Sequence, residues 1–173
     1  MKWLGLLAIG CYAVHWGYHL WHGHPANGLW ACHLAALVVG IGLLLGSPAT
    51  LAVGVLWLAI GVPLWIVDVA TGGEFTPTSL LTHVGGSIVG IIGLWQLGMP
   101  EQAWWKALLA LAILQQVCRW ITPPKENVNV AFTVYRGMKR WFPSYRWYCL
   151  ALGLAVGLYF FAAEYGLRQV VNP

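Results

Sequence analysis

Six histidines and four cysteines carry most of the chemistry open to this chain. Cys11, His15, His19 and His22 fall at i, i+4, i+8 and i+11, which is one continuous face of a helix. Imidazoles one turn apart bind zinc, copper or iron, and histidines on different helices can ligate a haem. Cys32 and His33 stand side by side near the start of the apolar stretch "WACHLAALVVGIGLLLGSP", and His83 sits near the start of another. A thiol needs an adjacent base to reach its thiolate, so Cys32 with His83 is a candidate nucleophile and base. The plainer alternatives are a cysteine acting as a small hydrophobe and a histidine bonding one helix to the next. Cys11, Cys32, Cys118 and Cys149 all fall within or at the edge of apolar segments without a CxxC spacing, so neither a disulfide framework nor a thiolate zinc site is indicated.

The elements that must position these groups are apolar. The chain of 173 residues is 60% hydrophobic and 8% charged, with 12 Trp. A soluble surface needs about a quarter or more charged residues, so this balance belongs in a membrane. Runs long enough to cross a hydrocarbon core need roughly 17 to 25 residues. Six qualify: Trp3 to Trp21, Leu29 to Leu45, Ala49 to Val69, Ser79 to Leu97, Ala103 to Ile121 and Trp147 to Tyr165. The expectation is an all-α polytopic membrane protein, one compact bundle of six transmembrane helices over residues 1–173. The first run carries His15 and His19 and precedes no small-residue cleavage site, so it reads as a helix rather than a leader. Ser47-Pro48 opens the third helix, Pro100 the fifth, and Thr122-Pro123-Pro124 ends the fifth. The segment from about Thr122 to Arg146 is too polar at "PPKENVN" to span and basic at "YRGMKRWFPSYR", and its second half is expected to lie as an interfacial helix.

With six crossings, the loops after the first, third and fifth helices share one face, side A. That face carries Arg119, Lys125, Arg136, Lys139, Arg140 and Arg146, against Lys2, Lys106 and Arg168 on the other. This bias places side A in the cytoplasm and both termini outside. The net charge of +4 comes mostly from the basic loop, whose expected partners are anionic lipid headgroups; no nucleic-acid-binding module is present in the pattern.

The polar residues gather on side A. Cys32 and His33 lie three or four residues into the second helix, on the order of 5 Å at a 1.5 Å rise. His83 lies at a similar depth in the fourth, Asp68 at the end of the third, and His15, His19 and His22 along the side A half of the first. Asn127 and Asn129 stand in the loop. Ionisable residues inside a membrane usually face the bundle interior and mark a functional site. Ser79, His83, Gly86, Gly90 and Gly93 share one stripe of the fourth helix, which is either a close-packing seam or a slot for an acyl chain below the polar layer.

The segments "WACHLAAL", "TSLLTH", "NVNVAF" and "FPSYRWY", in this order over about residues 29 to 165, resemble the YwaF-type family of small bacterial membrane proteins. Its animal relatives include a transmembrane phospholipid acyltransferase and the androgen-induced membrane hydrolases of fatty acid esters of hydroxy fatty acids. The resemblance implies Cys32 as nucleophile and His83 as base, acting without a cofactor on a phospholipid or other acyl lipid in a bacterial inner membrane. His83 would take the thiol proton, and Cys32 would form a thioacyl intermediate relieved by water or a lipid hydroxyl. Asp68, or an Asn of "NVN", would hold the imidazole in its useful tautomer. Ser79, Gly86, Asn127 and Asn129 would line the substrate. The chain departs from the family in being short and in its "HWGYHLWHGH" stretch.

Two further classes compete with acyl transfer. One is a metal or haem protein ligated by His15, His19 and His22, with His33 and His83 adding to the histidines of side A. This helix lacks the carboxylates and repeated HxxHH clusters of a di-iron desaturase. The other is a non-catalytic lipid-binding or structural membrane protein, its histidines bonding at the interface beside Trp16, Trp21 and Trp30.

Overall fold

The computed structural model describes residues 1–171, with the backbone alone at Arg136. Among the described residues the chain is all-α, with no strand. Helix α1 spans Lys2–Trp21, α2 Ala31–Leu45, α3 Pro48–Ala70, α4 Gly86–Leu97, α5 Ala103–Ile121 and α6 Tyr145–Val171. A π-helical turn, Leu81–Gly85, leads directly into α4.

Local chemistry sets these limits. Gly46 closes α2 in the left-handed conformation (φ 60°), and the Ser47 amide reaches back to the Gly42 carbonyl, 2.8 Å. Ser47 then caps α3, its Oγ accepting from the Thr50 amide at 3.3 Å, with Pro48 as the first helical residue. The start of α5 is capped from another element: the buried carboxylate of Glu164 on α6 accepts from the Gln102 and Trp104 amides at 2.8 and 2.7 Å. The expected interfacial helix is absent. Residues 135–144 hold a single 3-10 turn, Arg136–Met138, because Gly137 and Pro143 interrupt any longer helical run before α6 begins.

Neighbouring helices run antiparallel. Gly5 of α1 meets Gly40 of α2, so closely that a Cβ on Gly5 would stand 2.8 Å from the Gly40 carbonyl oxygen. Gly42 meets Leu51, and Gly61 meets Cys32, along α2 and α3. Pro63 lies inside α3, where it has no N–H for the carbonyl of Ala59. Tyr159 of α6 supplies that donor, its hydroxyl 2.6 Å from the Ala59 oxygen. Trp57 Nε1 likewise donates to the Ala107 carbonyl of α5, 3.0 Å.

The core lies between α2, α3 and α4, around Val39, Leu43, Leu51, Leu56, Leu58 and Leu94. The outer surface is apolar as well, with Leu45, Leu64, Leu154 and Leu158 exposed. Exposed tryptophans mark both ends: Trp21, Trp120, Trp141 and Trp147 at one, and Trp3, Trp95 and Trp105 at the other. Helices α3 and α6 are long and apolar enough to cross a membrane, and Ala31–Leu45 and Leu81–Leu97 are shorter apolar helices.

Candidate metal centre

Antiparallel packing brings the C-terminal half of α1 against the start of α2, and the π-helical turn packs against both. Four imidazoles meet there. Ring centroids stand 4.6 Å apart for His15 and His19, 4.2 Å for His15 and His33, 5.7 Å for His19 and His33, and 5.4 Å for His33 and His83. His15, His19 and His83 are buried, and His33 is half-buried between them.

The rings are fixed through Nδ1. His33 Nδ1 donates to the Asn27 carbonyl at 2.7 Å, and His83 Nδ1 to the Ser79 carbonyl at 2.9 Å. A carbonyl oxygen only accepts, so each Nδ1 carries the proton and each Nε2 keeps a lone pair. His15 Nδ1 pairs with the Thr78 hydroxyl at 2.9 Å. Trp65 stacks on His83 with ring centroids 4.7 Å apart and planes 13° from parallel. The Nε2 atoms of His15, His19 and His83 are buried without a hydrogen-bond partner. A buried polar atom without a partner is costly, of order 1 to 3 kcal/mol, and three such atoms within one cluster of rings call for partners.

Two ligand sets result. One ligand atom from each of His15, His19 and His33 lies within 4.8 Å of the others, and the same holds for Cys32, His33 and His83. Three nitrogens about 2.0 to 2.1 Å from a zinc-like ion stand roughly 3.3 to 3.5 Å apart, so small side-chain rotations bring either set into coordination. Ligands whose outer N–H is held by a carbonyl or hydroxyl are what metal-binding histidines usually show. A haem is disfavoured between His15 and His33, whose rings are in contact with no gap for a macrocycle.

The sequence-predicted residues divide accordingly. Cys32 and His83 are neighbours, and Cys32 packs its Cβ against Gly61. His15 and His19 join the cluster, whereas His22 is exposed, stacked on Tyr18 with its Nδ1 on the Tyr18 carbonyl, and lies outside both sets. Asp68 is exposed beside the Gly73 turn and does not hold the His83 ring, a place taken by the Ser79 carbonyl. Gly86 is filled against rather than open: a Cβ there would stand 3.1 Å from that of Ala36, and Gly90 and Gly93 are covered by Val39, Val55, Leu43 and Leu51. This stripe is a packing seam. Asn127 folds its own loop, its Oδ1 accepting from the Phe132 and Thr133 amides. Asn129 ties that loop to the start of α2, accepting from the Ala31 amide at 2.9 Å and donating to the Leu29 carbonyl at 2.8 Å and to Cys118 Sγ at 3.3 Å.

Asn27, Thr78 and Trp65 escape a reading of the sequence, and His33 enters it only as one histidine among several. The one local signal for Thr78 is the turn-forming "TPTS" that precedes His83. No family model, curated protein or solved structure matches the chain.

Proposed function

We propose that the chain is a membrane-embedded metalloprotein, a bundle of six crossings that holds one transition-metal cation on His15, His19 and His33, beside Cys32 and His83. The observation that carries this reading is the convergence of one ring nitrogen from each of His15, His19 and His33 within 4.8 Å, in a cluster where the Nε2 atoms of His15 and His19 are buried without a partner. Imidazole with a thiol nearby suits copper or zinc better than the hard cations, which take oxygen ligands. The membrane reading rests on the exposed apolar flanks, the tryptophans at both ends and the two long apolar helices. The exposed Lys125, Lys139, Arg140 and Arg146 would lie against anionic headgroups on the cytoplasmic side, at the end where the histidines cluster.

The test uses the full chain in detergent or nanodiscs, incubated separately with Zn²⁺ and with Cu⁺ kept reduced, then freed of excess and assayed for metal per chain. One equivalent is expected for the native chain and for His22→Ala, with clearly weaker retention in the His15→Ala, His19→Ala double variant. Native protein that retains neither metal, or a double variant that retains as much, overturns the reading.

A second reading, acyl transfer from a phospholipid by a Cys32 and His83 dyad, is favoured by the placement of the thiol sulfur within 4.8 Å of a ring nitrogen of His83. It matches the resemblance to the YwaF-type family. Cys32→Ser and His83→Ala would each abolish acyl release from labelled phospholipid under that mechanism, while His15→Ala would not.

A further inference from the structure

The two ligand sets share one residue, His33, and that residue can serve only one of them at a time. Its Nδ1–H is committed to the Asn27 carbonyl at 2.7 Å, which leaves the single lone pair on Nε2. An imidazolate bridging two ions would have to give up that proton and that bond. The rings of His15 and His83 both touch the ring of His33, at 4.2 and 5.4 Å. Resting on the metal reading above, we propose that the sets are two alternative stations for one soft cation, and that His33 is the pivot about which the ion passes between them.

At the first station the ion is held by three imidazoles, His15, His19 and His33. At the second it keeps His33 and exchanges the other two for His83 and the Cys32 sulfur. Either arrangement is three-coordinate, so the exchange moves through a state in which one new ligand enters as one old ligand leaves. The metal's oxidation state does not change. The thiol of Cys32 gives up its proton as the sulfur binds. The imidazole of His15 or His19, whose lone pair is freed in the same step, takes it up, so the net charge of the cluster is conserved. Thiolate and imidazole together select a soft, low-coordinate ion, and Cu⁺ fits both stations. The turn before α4 serves both at once, since Thr78 holds His15 and Ser79 holds His83.

The stations are separable by stoichiometry and by the signature of sulfur. Full-length protein is loaded with Cu⁺ for counting, and with Co²⁺ as an optical probe, because a thiolate on cobalt adds a near-ultraviolet charge-transfer band that imidazole does not. The native chain should hold one ion, not two, with a partial thiolate band. The His15→Ala, His19→Ala variant should retain weaker binding of one Co²⁺ with the band rising toward one thiolate per ion. Cys32→Ser should keep one ion and lose the band. His33→Ala should lose both stations, and His33→Gln, which keeps a polar side chain in the same space, should do the same while eluting as the native bundle. Two ions per native chain, full occupancy in either His33 variant, or no thiolate band in any variant overturns the two-station inference while leaving the metal reading intact. Failure of the native chain to bind any ion overturns the metal reading itself.

Discussion

His15 shows how much a single side chain depends on its partner across the fold. Its Nδ1 lies 2.9 Å from the Thr78 hydroxyl, sixty-three residues away, while the ring packs edge-on against those of His19 and His33. Removing such an outer partner from a metal-binding histidine typically costs 10 to 100-fold in affinity. Thr78→Val should therefore weaken zinc or copper binding by about that factor, and Thr78→Ser should restore most of it; competition titration against a chelator measures both. Equal affinity in all three would show that Thr78 does not orient the ring. The helical phase of Cys11, His15, His19 and His22 is legible in the sequence, yet which members face inward is not. His22 lies past the last turn of α1, where the chain leaves the helix, and its ring stacks outward on Tyr18. Asn27 and Thr78 were illegible for a related reason: each acts on a ring that only the packing of helices brings near.

The helices themselves are written plainly in the apolar runs and their turn residues. Counting the π-helical turn Leu81–Gly85 as the start of the fourth helix, every expected start falls within two residues of the observed one, and the main difference is α6, which continues past Tyr165 to Val171 because nothing in "AEYGLRQVV" stops it. The π-helical turn at Leu81–Gly85 left no such trace. It arises where the Thr82 hydroxyl and the His83 ring both bond back to the Ser79 carbonyl, a choice between backbone patterns too small to read from residue types. Two contacts between elements yield predictions. Tyr159→Phe should destabilise the bundle by about 1 kcal/mol, since the Ala59 carbonyl that Pro63 leaves free loses its donor. In a Pro63→Ala background the helix supplies its own N–H, so the same change should cost much less; a double-mutant cycle in steric-trap or denaturant unfolding reads the difference. Glu164→Ala should cost about 1 to 2 kcal/mol through loss of the cap on α5 and loosen α5 from α6.

Over the whole molecule, alternation of helix direction gathers every ring of the cluster at one end, the end that also carries the exposed lysines and arginines of the loop before α6. If the chain crosses a membrane six times, tags on the two termini should be equally accessible from the face opposite that loop. A tag inserted at the exposed Lys139 and Arg140 should be accessible only from the other face, and protease protection in sealed vesicles decides. Termini found on different faces would remove a crossing and break the six-span arrangement.

The ligand sets contain imidazoles and one thiol but no carboxylate. If the bundle spans a bilayer and holds a cation there, such a cradle would do little to neutralise its guest, and the guest would feel the voltage across the membrane. A unit charge falling through the full thickness exchanges about 2.3 kcal/mol per 100 mV. The cluster sits only a turn or so beneath the face carrying the basic loop. An ion arriving from that face would therefore cross little of the electrical drop, and one arriving from the opposite face would cross most of it. Were that loop in the cytoplasm, an inside-negative potential would draw external cations toward the histidines and resist their return, doubly so for a divalent ion. On the metal reading proposed above, the position of four rings along a helix axis would then set a polarity, favouring inward over outward passage of a bound cation.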